Sequence, residues 1–212
     1  MRAALRIAVA VLVAVLAALA GMWLAREQPA ERLELAHATV FPAPRALPGF
    51  ALTADDGTPF GPERLRGGWH ILFFGFTHCP DVCPSTLATL TAARRQLADL
   101  PVGDRPGVVF VSVDPQRDSA ARLAEYVEFF DPAFVGVTGD PAELAGLTRQ
   151  LGVAVVVGEP DAAGNYSIDH TATLFLVDPE GRLAAVFGMP HTPDGIAQDY
   201  RRVLEHLARR RG

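Results

Sequence analysis

Lysine is absent from this chain: all 19 of its cationic side chains are arginine, a bias for which the sequence offers no physical reason. Positive charge is scarce as well. The formal net charge is -5, and from Arg26 onward 17 arginines face 24 acidic residues, a balance of -7 that argues against nucleic acid as a partner. Five arginines gather near the end (Arg201, Arg202, Arg209, Arg210, Arg211), where a solvated helix terminus complementing its own dipole explains them better than a membrane or acidic-protein contact. Internal repeats and low-complexity tracts are missing, which excludes a solenoid array. Cysteine is reduced to two residues among 212, too few for a disulfide-built scaffold. Half of the residues are apolar, enough for one domain with a substantial buried core.

Charge of either sign is also missing from Ile7 to Ala25, nineteen residues preceded by Arg2 and Arg6 and followed by Arg26-Glu27. That run is long enough to cross the hydrocarbon core as a helix, and the leading arginines would hold its N-terminus in the cytoplasm. A cleaved signal peptide competes, because Ala18-Leu19-Ala20 before Gly21 resembles a small-residue cleavage site. The run continues through Met22, Trp23 and Leu24, which favours the anchor. Either reading exports the rest of the chain, into a compartment where neighbouring thiols close unless they are reduced or hold a metal. The expected division is an anchor or signal segment over 1–25, a proline-bearing tether over 26–47 and a single domain over 48–212.

Within the domain, Asp55-Asp56-Gly57 is a turn signal joining two short strands in "FALTADDGTPF". Trp69 to Phe76 is a continuous apolar run, as a strand covered on both faces should be, and Gly107 to Asp114 is a second one. Helices are predicted from Pro84 to about Asp99, from Ser119 to Phe130, and from the Asp140-Pro141 cap to about Leu151, with a short strand at Phe134 to Val137. The last third reads as strand Val153 to Val157, a polar hairpin-like insert, strand Thr173 to Asp178, a turn at Pro179-Glu180-Gly181, strand Arg182 to Phe187, and a helix from Thr192-Pro193 onward. Buried strands alternating with helices before a hairpin imply an α/β fold, a mixed sheet flanked by helices on both faces.

Cys79 and Cys83 stand in "FFGFTHCPDVCPS", each followed by proline. A residue before proline is pushed out of the α region, so neither cysteine is expected to be helical, while Pro84 suits the first position of a helix. The sulfurs are then expected on a turn at the positive end of that helix, where the dipole favours thiolate over thiol. A structural disulfide would close too small a loop to restrain the unfolded chain much. Two functional readings stay open: a dithiol exchanging electrons with another protein's disulfide, or two thirds of a site for a soft metal, Cu(I) or Zn, with an imidazole keeping Cu(II) accessible.

Of six histidines, His37 lies in the tether, His70 in a strand and His206 in the last helix, places that suit structural or solvated roles. His78 adjoins Cys79 but need not point the same way, and His191 is in a loop. His170 is the third candidate ligand, because it stands just before a buried strand. Together "FFGFTHCPDVCPSTL", "VVFVSVDPQRD" and "DHTATLFLVDPEGRL", in that order after an N-terminal anchor, resemble the Sco/SenC family of cytochrome c oxidase assembly proteins over roughly residues 46 to 208.

The resemblance implies a thioredoxin-like fold on the outer face of the energy-transducing membrane, in bacteria the periplasmic side. It implies copper, as Cu(I) or Cu(II), held by Cys79, Cys83 and His170. It also implies maturation of the binuclear CuA centre of cytochrome c oxidase subunit II, by copper delivery, by reduction of its cysteines, or both, with another periplasmic copper chaperone as candidate donor. Asp114 of "SVDPQRD" belongs to the shared pattern and is expected beside the site, a helix cap being its alternative. Two absences favour metal over redox catalysis: thioredoxin-like oxidoreductases carry a cis-proline where this chain has Ala172, and the P-x-x-x-T-x-x-C arrangement of thiol peroxidases is missing.

Overall fold

In the computed structural model, which describes residues 2–26 and 34–211, the chain divides into two units, Met1–Glu34 and Leu35–Gly212. The first holds α1 (Arg2–Arg26), so the apolar run is helical as the sequence leads one to expect. Among the described residues no helix is long and apolar enough to cross a membrane.

The second unit runs β1 (Ala38–Ala46), β2 (Leu52–Ala54), β3 (Pro59–Phe60), β4 (His70–Gly75), α2 (Val82–Gln96), β5 (Gly107–Ser112), α3 (Ala120–Phe130), β6 (Phe134–Thr138), α4 (Pro141–Leu151), β7 (Val155–Val157), β8 (Ile168–His170), β9 (Leu174–Val177), β10 (Arg182–Phe187) and α5 (Pro193–Arg211). Eight strands make one sheet in the order β1-β10-β9-β4-β5-β6-β2-β3, while β7 and β8 pair only with each other. Its centre, β10-β9-β4-β5, has β4 and β5 parallel and β9 antiparallel to both neighbours, the thioredoxin-like arrangement.

Each central strand sends alternate side chains to opposite faces. Ile71 and Phe73 of β4, Val108 and Phe110 of β5, and Leu174 and Leu176 of β9 pack against Leu87 and Leu90 of α2, Leu123 of α3 and Tyr200 of α5. Leu72, Phe74, Val109, Val111 and Phe175 pack on the other face with Leu144 and Leu147 of α4. Both faces are dry, which is why these strands are unbroken apolar runs in the sequence. Each large buried side chain contributes about 1.5–3 kcal/mol relative to exposure. Local signals place the helix ends: Ser119 Oγ accepts from Arg122 N at 3.2 Å, Asp140 Oδ1 accepts from Ala142 N at 2.8 Å ahead of Pro141, and Gly152 ends α4 at φ +72°.

Two expectations are corrected. Residues 27–33 of the expected tether lie outside the described residues, but Ala38–Ala46 of it form β1, an edge strand paired antiparallel with β10. Its register breaks between Val40 and Arg45, the interval containing Pro42 and Pro44; a sheet tolerates proline at an edge because the missing N–H has no partner to lose. The second correction concerns Cys83, which is helical. Helix α2 begins at Val82, so Pro84 is its third residue rather than its first. The first four N–H groups of any helix lack intrahelical acceptors, so a proline there forfeits nothing, and the bias against α geometry before proline yields.

Candidate metal centre

Strand β4 ends at Gly75, and the chain turns at once toward α2, with Cys79 N donating to Phe76 O at 3.2 Å. Asp118 holds that turn. Its buried carboxylate accepts from Thr77 N at 2.9 Å, Thr77 Oγ1 at 2.6 Å and Ser112 Oγ at 2.6 Å, tying the segment after β4 to the end of β5. At the start of α2, Cys83 N donates to Cys79 Sγ at 3.4 Å, so the sulfur of one cysteine takes an orphan N–H at the positive end of the helix that carries the other.

Both cysteines are free; Cys79 is half-buried and Cys83 fully buried. Burial pushes the Cys83 thiol far above its ordinary value, and the neighbouring Cys79 adds to the effect. This is opposite in sign to the helix-dipole expectation. Loss of water around the sulfur outweighs the dipole, so Cys83 stays a thiol until a cation or a second sulfur takes the place of its proton.

The third candidate arrives from the small sheet. Val155 pairs with His170, and Val157 with Ile168, while Asp161 Oδ1 closes the far turn by accepting from Ala163 N and Asn165 N. The polar insert is therefore a hairpin, and His170 is the last residue of its return strand. His170 Nε2 stands 3.5 Å from Cys83 Sγ, 87 residues away in sequence. Its Nδ1 is 3.2 Å from Thr171 O; the tautomer in which Nδ1–H donates there leaves a lone pair on Nε2 facing the sulfur. Phe73 and Phe76 meet the imidazole edge-on, with ring centroids 6.3 and 6.0 Å away. Burial lowers the His170 pKa and keeps the ring neutral. A cleft of ≈ 560 Å³ opens over this group, lined by Cys79 and His170 and also by Ala172, Tyr166 and Met189. Cys83 thus neighbours both His170 and Cys79, but the ligand atoms of Cys79, Cys83 and His170 do not all lie within 4.8 Å of one another, and Ala172 also lines the cleft.

Asp114 lies just behind. Its carboxylate, 2 % exposed, is paired with Arg117 Nε and accepts from Tyr166 Oη at 2.7 Å; the α3 cap is Ser119, so Asp114 does not cap that helix. Asp118, Arg117 and Tyr166 were not singled out in the sequence. The first two sat in the quoted "SVDPQRD", whose spacing puts a second carboxylate one turn after the first. Tyr166 gave no local signal. His78 is half-exposed, its Nδ1 3.2 Å from Thr77 Oγ1 and 3.7 Å from Asp118 Oδ1, and possible ligand atoms of His78, Asp114 and Asp118 lie within 4.8 Å of one another. Both carboxylates are already engaged by the donors named above, so this cluster offers a cation little. His70 opens β4, His206 lies on α5, and His191 Nε2 is 3.4 Å from Phe187 O.

The SCO1/SenC family model matches residues 41–205. A protein of Stutzerimonas stutzeri, named as a candidate copper-binding protein, is 36% identical over 176 residues, covering 82% of this chain and 84% of the relative. The mitochondrial SCO1 homolog 1 of Arabidopsis thaliana is 37% identical over 151 residues, 69% of this chain but only 43% of that protein, so this chain matches less than half of that relative's length. The crystal structure of Arabidopsis thaliana ScoI with copper bound superimposes with a TM-score of 0.69 at 34% identity, covering 74% of this chain and 98% of that one. With a family match over most of the folded unit and relatives more than a third identical across it, the chain belongs to the SCO1/SenC family.

Proposed function

We propose that this chain is a membrane-anchored copper metallochaperone, holding one copper ion between the Cys79 and Cys83 thiolates and the His170 imidazole and passing it to the CuA centre of cytochrome c oxidase subunit II. The observation that carries the reading is the 3.5 Å separation of Cys83 Sγ and His170 Nε2. Bonds of about 2.3 Å to sulfur and about 2.0 Å to nitrogen, as in zinc sites, put two donors of one ion roughly 3–4 Å apart. Thiolates are soft ligands and select Cu(I), while the imidazole keeps Cu(II) within reach. The anchor rests on the uncharged run from Ile7 to Ala25 behind Arg2 and Arg6, which would place the domain in the periplasm.

Each residue has a separable task. Cys83, buried, holds its proton until the arriving ion displaces it to solvent, so loading releases protons and acid favours unloading. His170 presents a neutral imidazole that needs no proton removed. Cys79, half-buried and lining the cleft, is the ligand on the open side, where an acceptor's own ligands can enter and take the ion one bond at a time.

Anaerobic titration of the reduced protein with Cu(I) tests this: one copper per chain, with His170→Ala weakening binding by at least about 10-fold, the low end of what even an indirect partner of a ligand contributes. Equal affinity in parent and variant would end the three-ligand reading. A reductase reading is favoured by the exposure of Cys79 beside a buried free thiol. In it the Cys79 thiolate attacks a disulfide of subunit II and releases one thiolate; Cys83 then closes onto Cys79, which releases the second. Mixing the reduced, copper-free protein with the oxidised subunit II domain separates the two, since rapid dithiol exchange without copper supports the reductase.

A further inference from the structure

The hairpin that delivers His170 has no share in the main sheet: β8 pairs with β7 alone. A two-stranded ribbon is marginally stable in water by itself, so its position over the cysteine turn must come from what its side chains grip. Val156 and Val157 of β7 face solvent, and Ile168 is the one strand residue of the hairpin that is fully buried. Two residues before Ile168, Tyr166 makes three contacts with a single ion pair. Tyr166 Oη donates to Asp114 Oδ1 at 2.7 Å, Arg117 Nη1 donates to Tyr166 O at 3.1 Å, and the Arg117 guanidinium lies 3.6 Å from the centroid of the Tyr166 ring.

The ion pair is fixed from behind. Asp114 follows β5, its N–H donates to Ser112 Oγ at 3.1 Å, and its backbone carbonyl accepts from Asp118 N at 2.9 Å. Arg117 also lies over the ring of Phe76, 5.8 Å from its centroid, and Phe76 is one of the two aromatic rings that meet His170 edge-on. Arg117 Nη2 is buried with no hydrogen-bond partner among the described residues.

From this geometry we propose that Asp114, Arg117 and Tyr166 form a clasp that holds the His170 hairpin against the cysteine turn and so decides whether the imidazole reaches the metal. They are positioning residues: none of them binds copper. The inference rests on the ligand set proposed above, and with the clasp open the site keeps two sulfurs and loses its nitrogen, a state suited to releasing the ion.

The test uses Tyr166→Ala, which removes ring and hydroxyl, and Tyr166→Phe, which keeps the stacked ring and the bond to the backbone carbonyl. In metal-free protein, amide exchange across residues 155–170 is expected to rise about tenfold or more in Tyr166→Ala, with the central sheet unchanged, because both a hydrogen bond and a cation–π contact are lost. Tyr166→Phe falls between that variant and the parent. In protein loaded with Cu(II), the nitrogen hyperfine structure in the electron paramagnetic resonance spectrum is expected to weaken in Tyr166→Ala toward that of His170→Ala, with the sulfur-to-copper charge-transfer band retained. Parent-like exchange and a parent-like spectrum in Tyr166→Ala, or in Tyr166→Phe if the alanine variant does not fold, would overturn the clasp. If His170→Ala itself leaves the spectrum unaltered, the ligand set falls instead, and exchange in the metal-free hairpin alone decides whether the clasp exists.

Discussion

A single hydrogen atom at position 75 makes room for the site. A Cβ on Gly75 would lie 2.6 Å from Phe110 Cε2 and 2.8 Å from Cys83 Sγ, and both of those side chains are fully buried. Neither can swing away into solvent. Gly75→Ala is therefore expected to cost about 1–3 kcal/mol, as overpacking does, and to push Cys83 away from His170. A lowered thermal midpoint together with weaker binding in a Cu(I) competition assay checks it; an unchanged midpoint would mean the core has more give there than its packing suggests. Asp118 is the harsher case. Its removal in Asp118→Ala strands Thr77 N, Thr77 Oγ1 and Ser112 Oγ, three donors in a dry environment, and is expected to cost about 3 kcal/mol or more in urea unfolding. Local sequence rules read this neighbourhood unevenly. They placed the cysteines at a strand-to-helix turn, yet missed that Cys83 is helical and that its thiol is raised, because burial depends on what packs over the residue and a proline rule does not know that.

Among the elements, the central strands were legible and the edge was not. Trp69–Phe76 and Gly107–Asp114 are recognisable because burial on both faces leaves an apolar run that needs no knowledge of neighbours, and Arg182–Phe187 because it follows the turn at Pro179-Glu180-Gly181. Strand β1 has two prolines and mixed polarity, and what fixes it lies far along the chain. Asp199 of α5 accepts from Ala36 N at 3.0 Å, His37 N at 2.7 Å and Ala38 N at 2.8 Å, across more than 160 residues of sequence. Such a pairing cannot be read from a local window. The same limit hid the role of Tyr166, whose partners Asp114 and Arg117 are 52 and 49 residues away. Asp199→Ala should release the start of β1. The expected outcome is a loss of about 2–4 kcal/mol, from three charge-assisted bonds of which only the one from Ala38 N is buried. Faster amide exchange at Ala38–Val40 than at β9 would check it, and uniform protection would show that strand pairing alone suffices.

For the whole molecule, the sheet separates chemistry from stability along its strands. The parallel strands β4 and β5 both run toward the cysteine turn and the candidate metal centre beyond their C-terminal ends, where sites in α/β sheets generally lie. His70 begins β4 at the opposite end, and burial lowers its pKa. His191, in the loop before α5, is lowered mainly by burial as well, its bond to Phe187 O opposing the effect. For both, the unfolded chain binds a proton more readily than the folded one. Their stabilising contribution is then complete above the unfolded value, about 6.5, and is lost as pH falls through that value toward the lower folded ones. Urea midpoints of the metal-free protein should fall between pH 7 and pH 5, and His70→Gln with His191→Gln should reduce that slope, leaving the share of His170 and His206, whose pKa values are lowered by burial as well. Because His70 is remote from the sulfurs, His70→Gln should leave the copper charge-transfer spectrum unchanged at every pH. A slope that the double substitution leaves undiminished would assign the acid sensitivity to other groups, and a spectrum that moved with His70→Gln would show that the two ends of β4 are coupled.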